Sequence, residues 1–401
     1  MSARRILFLV RRIGPYHDAR FEAAGRRTEL TVVETRPASA EYPWTTAPVG
    51  SHYGRDVFPA APSPEAALPE PGLAREVARV LAAHQPAVVA CSGWADPEYH
   101  AVLRACHARG IPAIVMCDST REDEPRHRWR ELVKRSLVRN FGAAVVAGAR
   151  SRDYLAGFGF PAPTLFAPLD VVDNDHFAAG AGLARVRAAA APVPPRFLCV
   201  ARFVPKKNLP RLLDAYAGYR AQVGAVAWGL VLSGSGELEP DLRRQVADLG
   251  LGAHVEFPGF CQYPDLPGLY ARAGALVLPS LSDQWGLVVN EAMAAGLPVL
   301  VSRCCGCAPD LVREGGNGWI FDPEDPAALQ ELLHRVAALD GEQWRAMGQC
   351  SREIIAAYSP EAFALALEQA AGAAGAPASR RSSRLSRVVV GLMGWRHSLQ
   401  P

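Results

Sequence analysis

Short apolar runs recur along the chain, and stretches with helical spacing lie in several of the gaps between them. The opening, RRILFLVRRIGPYHDARFEAAG, reads as a strand, a Gly-Pro turn and a helix. Further strand-like runs stand at residues 30–33, 87–91, 113–117, 143–147 and 164–166, and this alternation predicts a doubly wound α/β domain. A second series of the same kind runs through residues 196–201, 229–233, 254–257, 275–279, 298–302 and 319–321. The runs are apolar on both alternate sets of positions, as parallel strands covered on both faces require.

The two series set the expected organisation. Residues 1–180 form a first Rossmann-like domain and 195–357 a second, with the Ala/Pro-rich stretch 188–195 leading into the latter. A helical pattern at 358–372 and a basic tail at 373–401 follow. Residues 37–71, rich in Pro, Ala and Ser, are expected to form a long loop over the cleft or edge. Two such domains facing across a cleft would place ligands at the C-terminal ends of their strands.

Composition narrows the picture. The chain has 401 residues, enough for two domains, with 49% hydrophobic and 21% charged residues. A formal net charge of +3 is too small to make nucleic acid the main partner. Nine cysteines without paired spacing point to a reducing cytoplasm rather than a disulfide framework. The run ILFLV after Arg4-Arg5 is too short for a secretory signal, and no apolar run approaches the roughly 18–20 residues of a membrane span. The expected location is cytoplasmic, with peripheral contact at the inner face of the membrane left open.

Candidate chemistry concentrates in residues 275–318, read as strand, polar loop, helix from about Gly286, and strand. The unpaired amides of that helix start, Gly286 and Leu287 among them, suit an anion. Asp283 and Glu291 stand eight positions apart on either side of the helix start, and each can accept bonds from hydroxyls flanking the anion. The arrangement suits a sugar joined to a nucleoside through a diphosphate. Asp283 can equally be read as a helix cap. Arg202 and Lys207 follow a strand and precede a helix, where cations can face a diphosphate and stabilise the charge that grows on it. The adjacent Lys206 cannot be ranked against Lys207 by sequence. Gly259 and Phe260, after another strand, offer backbone to a nucleotide base.

In the first half, Gly14-Pro-Tyr-His17 follows the first strand, so Gly14 amides can meet donor phosphates and His17 or Tyr16 the acceptor. Residues 121–139 make a basic, helix-like stretch with Trp129 and leucines interleaved, either a solvated face or a contact for an anionic membrane surface. The tail, basic at 379–387 and apolar at 388–395, carries the same two readings. Gly234-Ser-Gly is a tight turn rather than a dinucleotide loop, because Glu239 stands where the third glycine belongs. Cys304, Cys305 and Cys307 lack a second ligand pair at zinc spacing.

The run S-x-x-D-x-x-G-x-x-x-x-E-A-M-A-x-G-x-P-V, from Ser280, resembles the E-x7-E signature of retaining glycosyltransferase family 4, of the GT-B fold. The likeness extends back to Arg202 and Lys207 and on through Asn317-Gly318 to Asp325. Asp283 stands in for the family's first glutamate, one methylene shorter. The resemblance implies two Rossmann-like domains and transfer of a sugar from a UDP-, GDP- or ADP-sugar to a saccharide or lipid-linked acceptor hydroxyl, with retention. Glu291 would hold the ribose and Asp283 the donor sugar. No cofactor or metal is implied: the leaving phosphate takes the acceptor's proton, and Asp173-Asn174-Asp175 lies where the family has a similar hinge pattern without metal. Asp118 sits near the place of a catalytic-site histidine that this chain lacks. The resemblance also implies cell-envelope or exopolysaccharide assembly, and that the helix after Pro360 returns to the first domain. A nucleotide-sugar epimerase or phosphorylase, and a non-catalytic nucleotide-sugar-binding scaffold, are the competing readings.

Overall fold

The computed structural model describes residues 4–37, 50–59, 66–123, 127–188 and 195–375. The chain divides into two compact units, Met1–Val171 with the segment from Pro360 onward, and Val172–Ser359.

The first unit is built on a seven-stranded sheet. Its strands are β1 (Arg5–Val10), β2 (Glu29–Glu34), β3 (Gly54–Val57), β4 (Val88–Cys91), β5 (Ala113–Cys117), β6 (Ala143–Val146) and β7 (Leu165–Phe166). They run in the order β3-β2-β1-β4-β5-β6-β7, every pair parallel. Both faces of β1 are buried: Leu7 and Leu9 join Val89, Val115, Val77 and Leu103 in one core, while Phe8 packs edge-on to Phe21 at 4.8 Å from the other side. The helix Pro360–Ala374 packs on the helix Pro15–Gly25. Arg27 pairs with Glu368 at 2.6 Å, and the Arg20 guanidinium lies 5.5 Å from the centre of the Phe363 ring.

The expected loop at 37–71 needs correction. It contains the edge strand β3, and a helix begins at Glu70. β3 (GRDV) is polar and largely exposed, so it carries no apolar alternation to reveal it.

The second unit carries a six-stranded parallel sheet in the order β10-β9-β8-β11-β12-β13. The strands are β8 (Arg196–Val200), β9 (Gly229–Ser233), β10 (Val255–Gly259), β11 (Ala275–Leu278), β12 (Val299–Ser302) and β13 (Gly318–Phe321). Phe197, Leu212, Leu213, Tyr216, Leu230, Val277 and Leu300 share its core. The buried Tyr216 hydroxyl stays satisfied by donating to the Trp228 carbonyl at 2.9 Å.

The boundary between the units precedes the helix Asn174–Ala188, whereas the sequence reading ended the first domain at residue 180 and began the second at 195. Contacts of that helix decide this. Phe177 is fully buried edge-on to Tyr270, and Asn174 Nδ2 donates to the Ile355 carbonyl at 3.1 Å. Most of the Ala/Pro-rich stretch and the tail from residue 376 lie outside the described residues.

Candidate active site

In each sheet the chain order reverses beside the first strand, between β1 and β4 and again between β8 and β11. Loops diverge at such switch points and leave a crevice at the C-terminal strand ends. Most of the candidate residues lie on those loops or on the helices that follow them.

In the second unit, the loop after β8 leaves Arg202 and Lys206 exposed and closes in a tight 3-10 turn, Pro205–Lys207. Lys207 points inward: its Nζ donates to Asp283 Oδ2 at 2.5 Å, with both side chains mostly buried. This separates the two lysines that sequence could not rank. Asn208, buried in a left-handed conformation, donates from Nδ2 to the Pro279 carbonyl at 3.1 Å and the Pro323 carbonyl at 2.8 Å. It ties together the loops after β8, β11 and β13. Sequence reading passed over it, though an Asn between a lysine pair and a helix is a recognisable left-handed candidate.

Asp283 is no simple helix cap, since the helix Leu287–Ala294 is capped by Gly286 at φ +104°. The Asp283 backbone instead pairs with the Cys304–Cys307 loop: Gly306 N–H donates to the Asp283 carbonyl at 2.9 Å and Cys307 N–H to the Trp285 carbonyl at 3.1 Å. A Cβ at Gly306 would lie 1.8 Å from the Gln284 carbonyl oxygen, so only glycine permits this approach. Cys305 and Cys307 are buried beside it, their thiols pushed well up by desolvation and then by neighbouring charge. The cysteine-rich loop is thus the packing partner of the Asp283 loop.

Glu291 is 1% exposed, and its Oε2 accepts a hydrogen bond from the Tyr270 hydroxyl at 2.6 Å. Next to it Asn290, also buried, accepts from Trp285 Nε1 at 2.9 Å. Gly259, at φ +82°, has its carbonyl taken up by Gly234 N–H at 2.9 Å and the Ser233 hydroxyl at 3.1 Å, while Phe260 beyond it is exposed. The Gly234-Ser-Gly236 turn packs on the β8 loop: a Cβ at Gly234 would stand 1.8 Å from the Ala201 carbonyl oxygen. Close backbone approach explains these glycines. In Asp173-Asn174-Asp175, Asp173 Oδ1 accepts from His176 N–H at 3.0 Å at the start of the helix, and Asn174 is bound to the end of another helix.

In the first unit, Gly14 opens the helix Pro15–Gly25, and its N–H donates to His17 Nδ1 at 3.2 Å. Ile13 N–H donates to the buried Glu34 carboxylate at 2.7 Å, which fixes the loop. Desolvation, with help from the Arg20 charge, pushes His17 down to about 3, so it is a neutral imidazole rather than a strong base at physiological pH. Arg20, which sequence reading missed, is buried with its Nη1 donating to the Leu169 carbonyl at 2.9 Å. Its pKa is lowered by desolvation, against which Asp170 and Asp118 act. The Arg20 charge thus acts on His17, one helical turn away, while its own ion-pair partner is Asp170 at 3.8 Å. Among the described residues no cluster of three or more His, Cys, Asp or Glu is placed to hold a metal ion.

The sequence profile described as "Glycosyl transferases group 1" matches residues 185–369. A mycobacterial protein, the GDP-mannose-dependent alpha-(1-6)-phosphatidylinositol monomannoside mannosyltransferase of Mycobacterium tuberculosis, is 30% identical over 309 residues, covering 72% of this chain and 76% of the relative. The chain is a group 1 glycosyltransferase. Its fold is shared with sucrose-phosphate synthase from Thermosynechococcus elongatus (TM-score 0.71, 21% identity, 91% of this chain and 98% of that one). The Anabaena protein HepE, solved in complex with UDP, is also similar (TM-score 0.67, 19% identity, 90% and 98%). At these identities the structures speak for the fold alone, which is GT-B. In this glycosyltransferase the signature helix, the Lys207–Asp283 pair and Glu291 all fall inside the matched profile.

Proposed function

We propose that this glycosyltransferase moves a sugar from a nucleoside diphosphate to an acceptor hydroxyl with retention, in cell-envelope or exopolysaccharide assembly. The observation that carries the reading is the 2.5 Å pair of Lys207 with Asp283 at the C-terminal edge of the second sheet. An ammonium held there, with Arg202 on the same loop, faces a diphosphate and gains most from the charge that develops as the glycosidic bond breaks. Asp283 then accepts from a hydroxyl of the donor sugar, and Glu291 accepts from the ribose. The amides of Gly286 and Leu287 meet the diphosphate.

A phosphate oxygen of the departing diphosphate takes the acceptor's proton on the face where the new bond forms. No strong side-chain base is needed, in keeping with the low pKa of His17, which serves as a hydrogen-bonding partner of the acceptor. Two protein cations neutralise the leaving group, so the reaction proceeds without a metal ion.

The mycobacterial relative is named for GDP-mannose and a phosphatidylinositol monomannoside, which makes that donor and a lipid-linked acceptor the first pair to test. A membrane-borne acceptor fits the helix Arg128–Val138, where Trp129 and Leu132 are 62% and 63% exposed on one face beside the exposed Arg130 and Arg135. We read it as a peripheral contact with the cytoplasmic leaflet. The described residues include no helix long and apolar enough to cross a membrane. Incubation with GDP-mannose, UDP-glucose and ADP-glucose, with lipid extract as acceptor, should give a glycosylated product whose anomeric configuration by NMR matches the donor's. An inverted product would overturn the mechanism, and sugar release without an acceptor product would overturn the transferase reading.

A further inference from the structure

Glu291 occupies an environment hostile to a carboxylate. It is 1% exposed, and Val289, Ala292, Met293 and Ala294 around it on the helix are all buried. An ionised carboxylate there requires hydrogen-bond donors. The Tyr270 hydroxyl supplies one at 2.6 Å, a short, charge-assisted bond. Tyr270 cannot easily yield. It is fully buried, and its ring meets Phe177 edge-on at 5.9 Å and 79°, while Phe177 in turn meets Tyr263 edge-on at 5.6 Å and 86°.

The terminal torsion of a glutamate is broad and would let the carboxylate plane turn. A bond from an immobile phenol fixes that plane. The fixed plane matters for one ligand group in particular, the vicinal 2′- and 3′-hydroxyls of ribose, which donate to a carboxylate as a pair only in one orientation. We infer that Tyr270 is a positioning residue for Glu291, and that its hydroxyl sets the preference of the donor site for ribonucleotides over 2′-deoxyribonucleotides. The inference rests on the reading of Glu291 as the ribose contact. It adds the residue that makes that contact selective, by pre-organisation rather than by touching the ligand.

The test measures calorimetric affinities of GDP, UDP and their 2′-deoxy counterparts for the full chain and for Tyr270→Phe, Phe177→Leu and Glu291→Gln. Circular dichroism and melting temperature confirm that each variant is folded. The full chain should prefer the ribonucleotide by about tenfold, as loss of a hydrogen bond to a charged group implies. Tyr270→Phe should cut that preference to about threefold or less and leave deoxynucleotide affinity within about twofold. Phe177→Leu, which loosens the ring but keeps the hydroxyl, should fall between. An unchanged preference in Tyr270→Phe, or equal weakening of both nucleotides, overturns the inference. If Glu291→Gln loses the preference in the same experiment, the ribose reading survives that failure. If Glu291→Gln keeps it, or no nucleotide binds the full chain, the ribose reading itself is wrong and the inference goes with it.

Discussion

Lys207 Nζ and Asp283 Oδ2 meet at 2.5 Å, joining the loop after β8 to the loop after β11. Both side chains are mostly out of solvent, so the bond is less screened than a surface pair. It holds a cation and an anion of the candidate site in a fixed relation, and removal of either partner strands the other.

On the proposed role of Lys207, an ammonium acting chiefly on charge that appears in the transition state, Lys207→Ala should lower kcat by roughly 10² to 10³. Lys206→Ala, at an exposed neighbour, should change kcat by less than about threefold. Steady-state kinetics on both variants decide it. A Lys207→Ala enzyme that raises KM and keeps kcat would show ground-state binding only.

Gly306→Ala drives a methyl into the Gln284 carbonyl oxygen and must displace the Asp283 loop. The expected cost is about 1–3 kcal/mol of stability, as for other overpacked positions. Donor affinity should fall with it. Chemical denaturation and nucleotide titration measure the two effects, and full retention of both would show that the loop pairing is unimportant.

His17 is held near 3, below the ordinary histidine value of 6.5. The folded state thus binds fewer protons than the unfolded state between those values, so stability rises with pH in that window. It is fully present above pH 6.5 and is lost as pH falls toward 3. Between pH 7 and 5.5 the native chain should lose about 1 kcal/mol that His17→Gln does not lose. Equal acid sensitivity of the two proteins in urea titrations would contradict the neutral imidazole.

Metal removal should leave turnover intact. If Arg202 and Lys207 oppose the leaving diphosphate as proposed, activity after dialysis against EDTA stays within about twofold of the untreated enzyme. Loss of activity that Mg²⁺ or Mn²⁺ restores would transfer the leaving-group role to a metal.

The exposed face of the helix Arg128–Val138 should bind anionic vesicles. Trp129→Ala with Leu132→Ala, and separately Arg130→Ala with Arg135→Ala, should each weaken co-sedimentation with phosphatidylglycerol vesicles. The arginine pair should cost about 2 kcal/mol at low salt, near 1 per basic residue. Deletion of 379–401, in the tail, serves as the parallel arm. If only that deletion releases the protein, the helix is a solvated face.

The sequence by itself determined the two series of parallel strands, because apolar runs covered on both faces have few other uses. It determined the signature helix as well, since Gly286, Glu291 and their spacing are local features of one strand–loop–helix unit. It marked Arg202 and Lys207 by their position after a strand. Tertiary structure decided which partners these residues meet. Lys207 rather than Lys206 turns toward Asp283, a choice made by the Pro205–Lys207 turn and by Asn208 locking it to two other loops. Tyr270 and Arg20 are ordinary helix residues in sequence, and only burial beside Glu291 and Asp170 gives them consequence. The strand β3 was hidden for the opposite reason: it is an edge strand held by backbone bonds to β2, and backbone bonds leave no trace in the order of side chains.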